Sequence, residues 1–141
     1  TETIHFNNSQ ESLIKLRRTK MSLKTFFANT VETRELHRDP QLRTNYYRNN
    51  FTQVVDALKM LAEEDHLEVK NIDKVHKEIY MLGSGYDIIV TLSEITPVEI
   101  GIDFKVNWFS GFGYNKPKKK VLYYYKKLKE LLRFKGVSLH P

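Results

Sequence analysis

Residues 98–108, Val-Glu-Ile-Gly-Ile-Asp-Phe-Lys-Val-Asn-Trp, alternate between apolar and polar almost without a break. Successive side chains of a β-strand point to opposite faces, so this pattern predicts a strand. Its buried face carries Val98, Ile100, Ile102, Phe104, Val106 and Trp108, and its wet face carries Glu99, Asp103, Lys105 and Asn107. The same parity occurs upstream, where Tyr86, Ile88, Val90 and Leu92 alternate with Asp87, Ile89, Thr91 and Ser93. Thr96-Pro97 turns the chain between the two runs, which predicts adjacent antiparallel strands. A helix cannot put such a pattern on one face, so the C-terminal half of the chain must build a sheet with one apolar side.

The rest of the chain is punctuated more loosely. Residues 1–8 are polar, with little period, and are expected to fray. From Ser9, a broken helical stripe of Leu13, Leu16, Leu23, Phe27 and Val31 runs among Lys15, Arg17, Arg18, Lys20 and Lys24, predicting a basic helical segment over 9–38. Asp39-Pro40 breaks it. The spacing of Tyr47, Phe51, Val54, Leu58 and Leu61 predicts a second helix reaching about Glu64. Alternation returns weakly over 67–72 and again over 75–82, before the turn signal Gly83-Ser84-Gly85. Pro117 suits a helix start, and Val121, Tyr125, Leu128 and Leu132 sustain a C-terminal amphipathic helix with Gly136 as its cap. The expected fold class is α+β, one domain over 1–141. It has N-terminal helices, a three-stranded antiparallel β-meander and the C-terminal helix, with an αβββα core over 40–141.

The chain has 141 residues, enough for one domain with a real core. It contains no cysteine, which removes disulfides and thiolate chemistry and fits a reducing, cytoplasmic setting. No apolar run approaches the roughly 20 residues of a membrane span. The formal net charge of +6 favours an anionic partner, with nucleic acid first.

Strand parity sets Asp103 beside Lys105, and puts Asp87 on the polar face of its own strand. Two carboxylates on neighbouring strands suit Mg²⁺ completed by water and phosphate, and Lys105 would then stabilise charge growing on phosphorus. Asp87 in Gly85-Tyr-Asp-Ile-Ile-Val and Asp103-Phe-Lys105 in Gly-Ile-Asp-Phe-Lys-Val resemble the PD-(D/E)xK nuclease superfamily over about residues 48–141. The resemblance implies an αβββαβ core and a Mg²⁺-dependent phosphodiesterase, with Asp87 and Asp103 as metal ligands and Lys105 as the catalytic helper. Glu63 or Glu64 would stand where that family has a helical glutamate. Tyr86 stands where it usually has proline, and the last strand is barely begun when the chain stops.

Lys116, Lys118, Lys119 and Lys120 at the start of the last helix, with Arg17 and Arg18 in the first, form a second candidate site that would neutralise phosphates of DNA or RNA. This α-β-β-β-α stretch with lysines opening its last helix also looks like a double-stranded-RNA-binding domain. The tyrosines at 123–125 replace that family's small helical residues. Nucleic-acid processing by a metal-dependent endonuclease is therefore the expected function. A non-catalytic nucleic-acid-binding module is one alternative. A protein-interaction or assembly domain, meeting a partner or a second copy through the N-terminal helix, is the other.

Overall fold

The computed structural model describes residues 29–111 and 114–139. In chain order these form β1 (Asn29–Glu32), a 3-10 turn (Pro40–Leu42), β2 (Asn45–Tyr47), α1 (Phe51–Glu64), β3 (Glu68–Asp73), β4 (Glu78–Leu82), β5 (Tyr86–Thr96), β6 (Glu99–Trp108), α2 (Lys116–Leu131) and β7 (Phe134–Val137). The strands make a seven-stranded sheet ordered β3-β4-β5-β6-β2-β7, with β1 also paired to β6. Every pairing is antiparallel. The expected αβββα core with a three-stranded meander and N-terminal helices is not what forms. The architecture is one large antiparallel sheet with two helices.

The difference begins at β6. A strand offers hydrogen bonds along both edges, and a long buried one needs both satisfied. β5 covers one edge, in a register that sets Ile88 opposite Val106, Val90 opposite Phe104 and Leu92 opposite Ile102. The other edge is taken in succession by β1, opposite Trp108 to Lys105, and by β2, opposite Ile102 to Ile100. The two short strands behave as one strand whose middle, residues 34–43, is looped out. Val31 and Tyr47, which also fit a helical stripe, are therefore strand residues. The expected basic helix over 9–38 is replaced over 29–38 by β1 and the start of this loop. Its remainder, including Arg17, Arg18 and the face suggested for a partner, lies outside the described residues.

α1 starts at Phe51, not near Pro40, because a capping box forms at Asn50 and Gln53. The Gln53 amide donates to Asn50 Oδ1 at 2.8 Å, and the Asn50 amide donates to Gln53 Oε1 at 3.1 Å. Asp39-Pro40 caps only the short 3-10 turn. The weak alternation over 67–72 has its cause in a bulge between Val69 and Asn71 that shifts β3 against β4. α2 stops at Leu131, and Gly136 pairs with Tyr46 inside β7 rather than capping a helix.

Both helices lie on the apolar face of the sheet. Ile100, Ile102, Phe104 and Val106 are buried there with Ile79, Met81, Ile88 and Val90, beneath Val54, Leu58 and Leu61 of α1 and Val121, Tyr124 and Leu128 of α2. Phe104 is central, its ring centroid 5.7 Å from that of Tyr124 and 5.2 Å from that of Tyr125. Tyr47 is fully buried, and its hydroxyl has no hydrogen-bond partner among the described residues. An unmade bond to a buried hydroxyl costs about 1–3 kcal/mol, so removing that oxygen should not weaken the fold. In urea denaturation, Tyr47→Phe is expected to be neutral or stabilising by about 1 kcal/mol. Ile102→Ala, which leaves a cavity, should cost about 2–5 kcal/mol. A clear loss of stability in Tyr47→Phe would show that the hydroxyl is bonded.

Candidate functional site

The residues of the expected metal site can now be placed on the sheet. Asp87 is opposite Asn107, whereas Asp103 is opposite Thr91. Both acids are on the face away from the helices, but four residues along the strand separate them, a Cα distance of about 13 Å at the usual rise. Two aspartates binding one Mg²⁺ at about 2.1 Å per oxygen cannot span that gap. Each carboxylate is also engaged by other donors. Asp87 is buried and accepts from the Tyr80 hydroxyl at 2.9 Å and the Asn107 amide at 2.8 Å. Asp103 Oδ1 accepts from the Thr33 hydroxyl at 2.6 Å and the Thr44 hydroxyl at 2.8 Å. Lys105 is on the same face as Asp103 but opposite Glu32 and Ile89. Asp87 and Asp103 do not fit a shared ion.

Asp103 instead closes the break in the β6 edge. Thr33 ends the part of the chain paired like β1 and Thr44 begins the part paired like β2, so their hydroxyls draw both sides of the looped-out segment onto one carboxylate. The Thr33 amide donates to the Phe104 carbonyl at 2.8 Å, and the Phe104 amide returns a bond to Thr33 Oγ1 at 2.9 Å. From the helix side, the Tyr125 hydroxyl lies 2.9 Å from the Ile102 carbonyl oxygen and 3.1 Å from Thr33 Oγ1. Burial raises the Asp103 carboxyl above its ordinary value, against the two threonine bonds, and the nearby Glu35 and Glu32 add to the rise.

The second candidate, the basic start of α2, divides in two. Lys118 pairs with Asp39 at 2.7 Å and holds that carboxyl below its ordinary value. Lys120 pairs with Asp65 at 2.9 Å. Asp65 caps the C-terminal end of α1 and also accepts from the hydroxyls of Tyr86 and Tyr124, each at 3.2 Å. Burial opposes the charge on Lys120, but Asp65 and Tyr86 outweigh it and hold the ammonium above its ordinary value. Burial and the Asp65 carboxylate push the Tyr124 phenol well above its own. Tyr86 in turn stacks on Trp108 at 4.6 Å. These two lysines therefore fasten α2 to the loop after β1 and to the end of α1. Nothing local in the sequence marks Asp65 as the partner of Lys120, because the pairing crosses from one helix to the other.

Of the remaining five lysines, Lys116, Lys119, Lys126 and Lys129 are exposed, and Lys127 is half-buried and pairs with Glu130 at 3.9 Å. Lys116, Lys119, Tyr123 and Lys126 recur at intervals of three, four and three residues, which sets them in one exposed stripe. Lys127 flanks the stripe, and its ammonium lies 5.8 Å from the Tyr123 ring centroid. Lys116 reaches over Trp108 at 5.6 Å. Seven lysines against Glu130 give α2 a balance of +6, equal to the net charge of the whole chain. In comparisons with known proteins, no family model, curated protein or solved structure matched the chain. Among the described residues, no helix is long and apolar enough to cross a membrane.

Asp103 gives a pH test of this arrangement. Its folded-state carboxyl lies above the unfolded value near 3.8, so the fold favours the protonated form. The stability it contributes is complete below the unfolded value and is lost as pH rises through the folded one. The stability of the parent protein minus that of Asp103→Asn should fall as pH rises from the unfolded value into the mildly acidic range, then level off. Urea titrations of both proteins at a series of pH values would measure this, and a difference that grows with pH would mean the carboxylate is stabilised by its threonines more than burial penalises it.

Proposed function

We propose that this domain binds nucleic acid without cleaving it, laying the solvent face of α2 along a phosphate backbone. The observation that carries this reading is the concentration of the chain's entire positive excess on one helix, with four of its lysines directed outward around a tyrosine. Lys116 to Lys126 covers about 15 Å of helix, roughly the axial length of four phosphates on one duplex strand. Tyr123 lies within the stripe and is 38% exposed, enough to offer a ring face to an unpaired base. Lysine ammoniums are point charges that neutralise phosphate without reading a base edge, so the binding would be tolerant of sequence.

The local chemistry of α2 supports the same reading. Its first turn has no acidic residue and its Asn115 cap makes no side-chain cap hydrogen bond. Positive charge there opposes the helix dipole. Asp39 and Asp65 offset Lys118 and Lys120, but Lys116 and Lys119 have no acidic partner among the described residues. A breach of a local folding rule that the fold does not compensate is a common mark of function.

The test is fluorescence anisotropy with labelled single- and double-stranded oligonucleotides over a range of salt. With four lysines engaged, the log–log salt slope should be about −3 for single strands and about −3.6 for duplex. Lys119→Glu with Lys126→Glu should weaken binding to all sequences alike and flatten the slope, leaving the melting temperature nearly unchanged. Lys118→Glu or Lys120→Glu should lower stability, because each breaks a cross-element ion pair. Absence of binding at low salt, or binding that the exposed-lysine variant leaves intact, would remove this function.

A further inference from the structure

Two arginines share a cleft at the end of the sheet, and neither has an ion pair among the described residues. Arg48 follows β2 and Arg133 follows α2, and the backbone holds them together. The Arg48 amide donates to the Arg133 carbonyl at 2.7 Å, and the Arg133 amide donates to Asn49 Oδ1 at 2.8 Å. Asn49 is itself buried and linked to Gln53 at 3.2 Å, so this junction is fixed from the core side. The cleft has a volume of about 510 Å³ and opens between the start of α1, the β5–β6 turn and the α2–β7 junction. The acid in its wall, Glu99, is engaged by Lys135 at 2.6 Å. At the start of α1 the capping box engages the amides of Asn50 and Gln53, and the full positive charges in the cleft wall are the two guanidiniums.

Like charges lining one cleft repel, and that cost is relieved when an anion lies between them. A guanidinium presents a planar fork that matches the oxygens of carboxylate or phosphate. One carboxylate is satisfied by one fork, whereas a terminal phosphate has three oxygens and two charges, enough for both. Thr96 and Asn50 add neutral polar groups to the wall, and the volume lies within the range of small-ligand sites. We propose that this cleft binds a phosphate monoester, with its dianionic group held between Arg48 and Arg133. The phosphate belongs either to a free nucleotide or to the phosphorylated end of a nucleic-acid strand. The site stands on the cleft and its arginines, and does not depend on binding along α2.

Isothermal titration with inorganic phosphate, a mononucleotide, and 5′-phosphorylated and 5′-hydroxyl forms of one oligonucleotide would test this. The monoesters should bind the parent protein, and Arg48→Gln or Arg133→Gln should each weaken them roughly ten- to a hundred-fold, the loss of a hydrogen bond to a charged group. Both side chains are exposed and the bonds that join the two residues come from the backbone, so the variants should melt like the parent. Binding should strengthen as pH rises through about 6, where the monoester becomes a dianion and arginine keeps its charge. A 5′-phosphorylated strand binding more tightly than its hydroxyl form by an arginine-dependent margin identifies a strand end. A mononucleotide binding as well as the phosphorylated strand identifies a free ligand. Lys119→Glu with Lys126→Glu should leave mononucleotide affinity unchanged, so failure on α2 and failure in the cleft are read separately. Phosphate monoesters that do not bind at millimolar concentration, or that bind the double arginine variant as well as the parent, would overturn the proposal.

Discussion

Between Lys105 and Ile102, the edge of β6 that faces β1 and β2 is closed by one backbone bond, from the Thr33 amide to the Phe104 carbonyl, and otherwise by side chains. Thr33 and Thr44 meet there on one oxygen of Asp103, and Tyr125 reaches down from α2 to the Ile102 carbonyl. The loop of residues 34–43 can leave the sheet and return only because this break is sealed, since an open backbone edge beside a packed core would be costly. Once it is sealed, β2 continues along β6 and carries β7 on its far side. The chain entering α1 then starts from a fixed point. An acid at position 103 that is expected to hold a metal is thus required to hold two threonines, and burial keeps its carboxyl from ionising easily.

The lysines of α2 show how tertiary structure sorts residues that look equivalent in one dimension. Four of them fall within five positions at the helix start, yet successive residues on a helix point about 100° apart. Lys118 swings toward Asp39 and Lys120 toward Asp65, and these two aspartates supply acidic charge at an N-terminus that has none of its own. Lys116 and Lys119 stay outward, and Lys126 and Lys127 continue their face. Ion pairs that anchor a helix and charges available to a ligand are thereby separated on one short segment, and the tyrosines divide in the same way. Tyr124 and Tyr125 are buried with bonded hydroxyls, and Tyr123 is half exposed among ammonium groups.

Part of the site was legible along the chain. The excess of lysine in 116–129 and its spacing with Tyr123 can be read directly, because a helix imposes a known period on whatever it carries. Asp87, Asp103 and Lys105 were also placed on the outer face by their parity. Their failure to meet is a matter of register: the short turn at 97–98 sets Asp87 beside Asn107, and no local pattern states how far two strands slide before they pair. Arg48 and Arg133 have no signal at all in the sequence, being 85 positions apart and joined by a backbone bond. Asp65 was hidden for the same reason.

Where a pattern answers to its nearest neighbours, the sequence was sufficient. The alternation of 86–92 and 100–106 determined which side chains enter the core, and the i, i+3, i+4 spacing after Pro117 determined α2, since each depends on the geometry of a single element. The size of the sheet was decided elsewhere. Val31 and Tyr47 satisfy a helical stripe and a strand equally well, and a short apolar run cannot choose between them. The choice was made by the second edge of β6, whose hydrogen bonds had to be met by some other part of the chain. That demand turned an expected three-stranded meander with helices before it into seven strands beneath two helices, and only the assembled structure contains it.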